Sequence, residues 1–343
     1  MRLAGRAVSA IALAAATGAA AQQPEPRYDA LVRAFQTDAL RVVMLLQVVA
    51  DVQAERTVAG ANGFQVANAR LGINGRLDGG WSYELISALT ATPAVLDSRI
   101  SHTAAPSLTI DAGRFKVPFS RERLTNAGAI DFVNRAQVTA TLSPGRQVGA
   151  QARGLGWNGH VEYALGVFNG NSLASGNDDN EVMAVGRVAF WPTGDPSTAP
   201  GDHRFEIAVN AGVSRDAAAP IGALIPSFEG DRRLVGVDFR RRAGRLLLAG
   251  EAITALLDPA AGSAAQPTGW HATAGWHLRP ATQVLVRWDA FRPDGLGPDA
   301  DLLVLGWNRW PTQASEVQVN WVVDLNDAAP KRHQLLVNLQ LAF

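Results

Sequence analysis

The sequence predicts an all-β fold, a transmembrane antiparallel β-barrel of about 16 strands, and three observations lead there. From residue 41 onward apolar and polar side chains alternate with a period of two. The polar face carries charges at mid-strand, which a water-filled interior tolerates and a dry sandwich core does not. Beyond the N-terminal leader no run of ~18 apolar residues remains, so a helical membrane protein is excluded.

Each element follows from its own residues. The chain opens MRLAGRAVSAIALAAATGAAAQQ, with Arg2 and Arg6 ahead of an apolar run and small residues at Ala19 and Ala21. That pattern reads as a secretory signal peptide over residues 1–21. Residues 22–40, with RYDALVRAFQTDAL, form a periplasmic lead-in, either a short helix or an extended segment. The barrel domain then runs over residues 41–343. Its strands are expected at 41–54, 64–77, 81–92, 94–104, 107–117, 146–153, 160–168, 181–191, 204–215, 232–243, 245–256, 269–279, 282–292, 301–311, 315–325 and 332–343. An even count returns both ends to the periplasm, and LDGG, AAPS, GLGWNG, PTGDPSTAPGD, AGR, RPA and PTQAS then fall on one side as mostly short turns, with mostly longer connections opposite.

The final strand carries the alternation most clearly. In RHQLLVNLQLAF, Leu335, Val337, Leu339, Leu341 and Phe343 share one face, while Gln334, Asn338 and Gln340 lie on the other. SEVQVNWVVDL repeats it with Val317, Val319, Trp321 and Val323 against Gln318, Asn320 and Asp324. Such apolar faces can pack on a second sheet or meet lipid; charges on the opposite face and tryptophans near strand ends (Trp81, Trp191, Trp270, Trp276, Trp310) favour lipid and an interfacial girdle. Alternation assigns Arg70, Arg76, Arg153, Arg187, Arg240 and Arg287 to the lumen, with Asp51, Glu84, Glu162, Glu206, Asp238, Glu251, Asp289 and Asp324.

Composition narrows the chemistry. The chain holds 31 basic and 31 acidic residues, and removing the leader takes two arginines and no acid, so nothing favours nucleic acid. No cysteine is present, which excludes disulfides and thiolate chemistry. GLGWNG at 154–159 formally matches a dinucleotide fingerprint, but the strand-like HVEYALGVF follows where that site needs a helix, so it reads as a turn. GNDDNE at 176–181 lacks the spacing of a calcium loop, and His271 and His277 stand too far apart on one strand to share a metal. No metal site, cofactor or catalytic constellation is expected, and the chain does not read as an enzyme.

The longest connection, residues 118–145, begins within GRFKVPFSRERLTN and lies on the extracellular side by parity. It mixes charges with Phe119, Leu124, Ile130, Phe132 and Val133, a composition more easily satisfied against an inner wall than in open water. GRFKVPFSRERLTN, followed by FVNRA and PGRQVGAQARG, with GFQVANARLGINGRL, WSYELISAL and YALGVFNGN, resembles the phosphate-selective porins O and P. The resemblance implies a 16-stranded outer-membrane porin, usually a homotrimer, whose third extracellular loop folds into the lumen and narrows it. It further implies that Phe343 serves as the assembly signal. Carried over residue by residue, Ser120, Arg121, Arg123, Thr125 and Arg135 become the constriction and solute-binding candidates. Arginine suits an oxyanion because its planar fork donates two hydrogen bonds. These arginines either contact the solute or pair with Glu122, Asp131 and wall acids to brace the loop.

The chain departs from the family in having only two lysines, Lys116 and Lys331, and many lumen acids, which suggests a transverse field over a uniform anion trap. The expected function is diffusion of small hydrophilic solutes, including inorganic anions such as phosphate, through the bacterial outer membrane and in contact with its lipid. A closed-lumen structural or adhesion barrel and a barrel enzyme are the competing readings.

Overall fold

Every expected strand finds an antiparallel partner, and the last closes on the first. The computed structural model describes residues 36–53, 62–90, 94–172, 176–177, 179–192, 205–326 and 333–343. In chain order the strands are β1 (Arg41–Gln53), β2 (Gly63–Arg76), β3 (Trp81–Ala88), β4 (Ala94–Ala105), β5 (Leu108–Lys116), β6 (Arg146–Gly156), β7 (Val161–Phe168) and β8 (Met183–Phe190). The second half comprises β9 (Phe205–Ile221), β10 (Ile225–Ala243), β11 (Leu246–Pro259), β12 (Thr268–Arg279), β13 (Thr282–Arg292), β14 (Ala300–Thr312), β15 (Ser315–Asp324) and β16 (His333–Ala342). Each pairs with its sequence neighbours, and β1 pairs with β16 through contacts such as Gln47↔Gln340 and Val49↔Asn338. Closure leaves no free sheet edge, so every strand amide and carbonyl can be satisfied within lipid. The signal peptide and residues 22–35 lie outside the described residues.

Alternation sets which face points inward. Val209, Val213, Val237, Leu339 and Leu341 are exposed, whereas Glu206, Asn210, Asp238 and Arg240 on intervening positions are buried. A register slip of one residue would turn arginines and carboxylates outward, so the pattern specifies pairing strongly. Of the tryptophans expected in a girdle, Trp81, Trp270 and Trp276 are exposed near strand ends. Trp191 departs from it: at 2 % exposure it is buried, and its backbone carbonyl is bonded to the His160 ring at 3.0 Å. GLGWNG closes β6 into β7 as a tight turn over Trp157–Gly159.

One connection differs from expectation. Residues 216–231, between the strands expected at 204–215 and 232–243, continue the β9–β10 ladder to a turn at 222–224. The ladder breaks register at Ile225/Phe228 and Phe228/Gly230, irregularities beside which Pro220 and Pro226 are accommodated without a central ladder amide. Tertiary burial supplies what the period lacks: Ile221 and Phe228 join one apolar cluster with Val138 and Leu142 of the β5–β6 connection. At the tip Gly222 has φ +53°, and a Cβ there would stand 2.6 Å from Thr141 Cα. Gly222→Val is therefore expected to lower stability by about 1–3 kcal/mol, read as a lower temperature at which the folded band of heat-treated protein is lost on electrophoresis.

Candidate functional site: the connection between β5 and β6

The connection starts where β5 can no longer be hydrogen-bonded. Pro118 offers no amide, and the Phe119 amide turns back to the Val117 carbonyl at 2.7 Å. Ser120 adopts φ +67° and caps a one-turn helix, α1 (Arg121–Leu124), its Oγ accepting from the Arg123 amide at 3.1 Å. Thr125 Oγ1 donates to the Arg121 carbonyl at 2.9 Å and closes that turn. A 3-10 turn at Ala127–Ala129 and a second helix, α2 (Gln137–Leu142), complete the segment. Ser120 is thus fully buried and occupied as a cap.

The backbone of this segment is satisfied by side chains from strands all around the sheet. The Ser120 amide donates to Asn210 Oδ1 on β9 at 3.3 Å, and the Gln137 amide to Asp289 Oδ2 on β13 at 3.0 Å. The Val133 amide donates to Asn320 Oδ1 on β15 at 2.7 Å. Carbonyls of Ile130, Asp131 and Gly128 accept from Gln318, Asn308 and Gln340 of β15, β14 and β16 at 3.0, 2.8 and 2.9 Å. Gln47 of β1 reaches the Ala127 carbonyl at 3.3 Å. The amides on the polar faces of the strands were visible in the sequence; that they would hold the loop was not.

Charge divides into two groups. In the first, the sequence-predicted Arg121, Arg187, Asp238, Arg240, Arg287 and Asp289 are joined in ion pairs. Arg121 meets Glu206 at 3.3 Å; Arg187 meets Glu206 at 2.9 Å and Asp238. Arg240 grips Asp131 with two bonds of 2.5 and 2.9 Å, and Arg287 lies 3.4 Å from Glu122, 3.6 Å from Asp289 and over the Phe132 ring. Burial opposes the charge on Asp131, but the Arg240 fork outweighs it and holds the carboxyl below its ordinary range. Burial lowers Arg121 as well, with Glu206 opposing.

The second group is almost purely basic. Arg123, Arg135, Lys116, Arg146 and Arg70 lie within one another's electrostatic reach, and Asp97 is the carboxylate that all but Arg123 and Arg135 feel most nearby. Asp97 is taken up by a bidentate pair with Arg146 at 2.9 and 2.8 Å. Arg135 donates to the Glu122 and Thr125 carbonyls at 3.1 and 2.7 Å, and Lys116 to those of Leu124 and Thr125 at 2.9 and 3.0 Å. Among the described residues no carboxylate stands within 4.0 Å of the Arg123 or Arg70 guanidinium. Burial, and then Arg135 and Arg146, pull Arg123 down to about 10. Burial also lowers Arg135, against the attraction of Glu122. Room for the Arg123 guanidinium comes from Gly145, where a Cβ would stand 2.7 Å from Nη2.

Of the remaining wall candidates, Arg153 pairs with Asp111 at 2.6 Å and Arg76 is exposed at the periplasmic end of β2. A cavity of about 480 Å³ on one side of the segment is lined by Lys116, Arg121, Thr125, Arg146, Arg153 and Glu162. Another, of about 330 Å³ on the other side, is lined by Arg121, Glu122, Asp131, Arg240, Glu251 and His271. Sequence reasoning missed Lys116 and Arg146 as members of the basic group. Alternation along β5 and β6 assigns both to the outward face with Arg114 and Val148, yet at the strand ends their side chains turn to the loop and to buried Asp97. Among the described residues no group of His, Asp and Glu could hold a metal.

Comparison with known proteins agrees with this architecture. Residues 44–199 match the model of the family phosphate-selective porin O and P. No curated protein matches the chain. Among solved structures, the chain is similar to the anion-selective porin from Comamonas acidovorans (13 % identity, TM-score 0.65, 89 % of this chain and 99 % of that one). It is similar to the trimer form of OmpT from Vibrio cholerae (12 %, 0.65, 89 % and 99 %) and to OmpF of Salmonella typhi in complex with daunomycin (11 %, 0.62, 89 % and 97 %). At such identities these structures establish the fold alone. The closed barrel of 16 antiparallel strands, its apolar outer face and the family match over residues 44–199 identify the chain as an outer-membrane porin of the bacterial cell, similar over those residues to the phosphate-selective porin O and P family.

Proposed function

We propose that residues 118–145 cross the lumen and narrow it, and that the channel passes small hydrophilic anions, inorganic phosphate among them, by diffusion. Hydrogen bonds from this segment to β1, β9, β13, β14, β15 and β16 support the inward position, since strands so distributed around a closed sheet share only its interior. The observation that carries the anion preference is the basic group of Arg70, Lys116, Arg123, Arg135 and Arg146 with Asp97 as its paired acid. Among the described residues Arg123, like Arg70, Arg135 and Lys116, has no carboxylate at salt-bridge distance, and its fork suits an oxyanion. Ser120 acts in this reading as a cap that holds α1; Arg121 braces the loop through Glu206; Thr125 and Arg135 shape the basic side. The working unit is a homotrimer, as one structural neighbour is described as a trimer form. Transport by diffusion needs no catalytic group, and none is assigned.

Purified protein in planar bilayers should conduct, and in a salt gradient its zero-current potential should report anion preference. Because burial and its arginine neighbours bring Arg123 down to about 10, its share of that preference should decline as pH rises through about 10. Absence of conductance would reject the channel; a cation-preferring potential at neutral pH would reject the assignment of the basic group.

A further inference from the structure

A cavity of about 430 Å³ lies between residues 128–131 of the β5–β6 connection and the short turns at 244–245 and 280–281. Those turns are periplasmic by strand parity, so the cavity opens toward that end of the barrel. None of Arg70, Lys116, Arg123, Arg135 and Arg146 lines it, which separates it from the basic side of the connection. Its volume falls within the range of about 300–1,000 Å³ that small-molecule sites occupy.

Its wall is one row of planar polar side chains. His277, Gln283, Asn308, Gln318 and Asn338 pair successively across β12 to β16 on the polar face of the sheet. At the β15–β16 end the amides are taken up: Gln318 Nε2 donates to the Ile130 carbonyl and Asn338 Nδ2 to Gln318 Oε1, both at 3.0 Å. Toward β12 they are not. Gln283 is 4 % exposed, lines the cavity and makes no side-chain hydrogen bond among the described residues. Asn308 gives Nδ2 to the Asp131 carbonyl at 2.8 Å, while its buried Oδ1 has no partner among the described residues. Trp310, two positions beyond Asn308 and of the same inward parity, lines the cavity with the His277 ring 6.0 Å away at 30°. Arg240 and Arg242 stand against Asp131 and Glu316 in the lining, so its guanidinium and carboxylate charges balance. An adjoining cavity shares Asp131, Arg240 and Arg242, and there the buried His271 has neither ring nitrogen hydrogen-bonded among the described residues.

An aromatic face beside unmet amides and balanced charge suits a ligand with a flat apolar face and uncharged hydroxyls around its edge. A hydroxyl can donate to Asn308 Oδ1 or accept from the Gln283 amide, and either role satisfies a His271 ring nitrogen. A phosphate has only acceptors to offer Asn308 Oδ1, and Glu316 repels it. We infer that this cavity binds a neutral saccharide of one or two rings from the periplasmic end: one ring stacks on Trp310, and its hydroxyls bond Gln283 and Asn308. The inference rests on the inward position proposed for the connection and is independent of its anion preference.

The test is saturation-transfer difference NMR on the folded full-length protein, in a detergent without a sugar headgroup. Glucose, maltose, sucrose and diacetylchitobiose are the probes. At least one should bind with a dissociation constant below about 10 mM, and excess inorganic phosphate should not displace it. Trp310→Ala should weaken that binding about tenfold and Gln283→Ala about threefold, while Trp310→Phe retains most of it. Trp270→Phe, on the outward face, should change nothing. The folded electrophoretic band reports that each variant has assembled. Failure of all the sugars to bind, binding that survives both Trp310→Ala and Gln283→Ala, or displacement by phosphate would overturn the inference. If no sugar binds while Phe119→Ala raises the conductance, the inward connection stands and the saccharide site alone is wrong. If Phe119→Ala leaves the conductance unchanged as well, the inward position fails with it.

Discussion

Arg123→Ala should move the zero-current potential in a salt gradient toward cation preference, while Arg121→Ala leaves it close to wild type. The two arginines are two residues apart on the same helical turn, yet their surroundings differ. Arg121 Nε lies 3.3 Å from Glu206, so its charge is largely neutralised before any solute arrives. Arg123 has arginine neighbours instead, and burial with those neighbours lowers it to about 10 while leaving it charged at neutral pH. An anion ~5 Å from a single charge in water-like surroundings gains about 0.8 kcal/mol, roughly fourfold in local concentration, and the gain grows as the constriction excludes water. Arg135→Ala should act in the same direction as Arg123→Ala, with an added loosening of the loop because Arg135 ties the Glu122 and Thr125 carbonyls. Equal shifts from Arg121 and Arg123 would show that local pairing does not decide selectivity and would sink the division into neutralised and basic groups.

Phe119→Ala should cost about 3–5 kcal/mol and raise the single-channel conductance. Phe119 is fully buried, in one cluster with Val117, Val138, Leu142, Leu234 and Ile253. Its ring seats against Gly236 on β10, where a Cβ would stand 3.3 Å from the Phe119 Cζ. Removing the ring leaves a cavity at the point where the loop leaves β5, and the polar bonds to Asn210 and Glu251 next to it then lose their packed support. Two readouts separate the effects: thermal loss of the folded electrophoretic band reports stability, and conductance reports loop position. A less stable barrel with unchanged conductance would mean that the loop is held by Asp131–Arg240 and Gln137–Asp289 without its apolar anchor.

The strands were legible because their signal is local. Period two with one apolar face recurs in nearly every segment, and a single slip of register would turn each face over, so sequence and pairing determine one another. The apparent loop at 216–231 escaped for the converse reason: its strand character comes from Ile221 and Phe228 packing on Val138 and Leu142, residues distant in sequence. Trp191 likewise carries a girdle residue type but is buried.

At the site, the residue types and the importance of the 118–145 connection could be read from the chain, but the pairing could not. Arg240 and Asp131 are 109 positions apart, and Arg287 and Glu122 are 165 apart, so which arginines are neutralised depends on which strand residues the loop meets. Lys116 and Arg146 reach the basic side against the strand alternation, because strand ends release side chains from the pleat. By itself the sequence determined a 16-stranded barrel with a polar interior, an apolar exterior and one long charged connection. Only the tertiary structure decided which of its charges remain without a carboxylate partner, because electrostatic pairing depends on distance in space while alternation records only the side of the sheet.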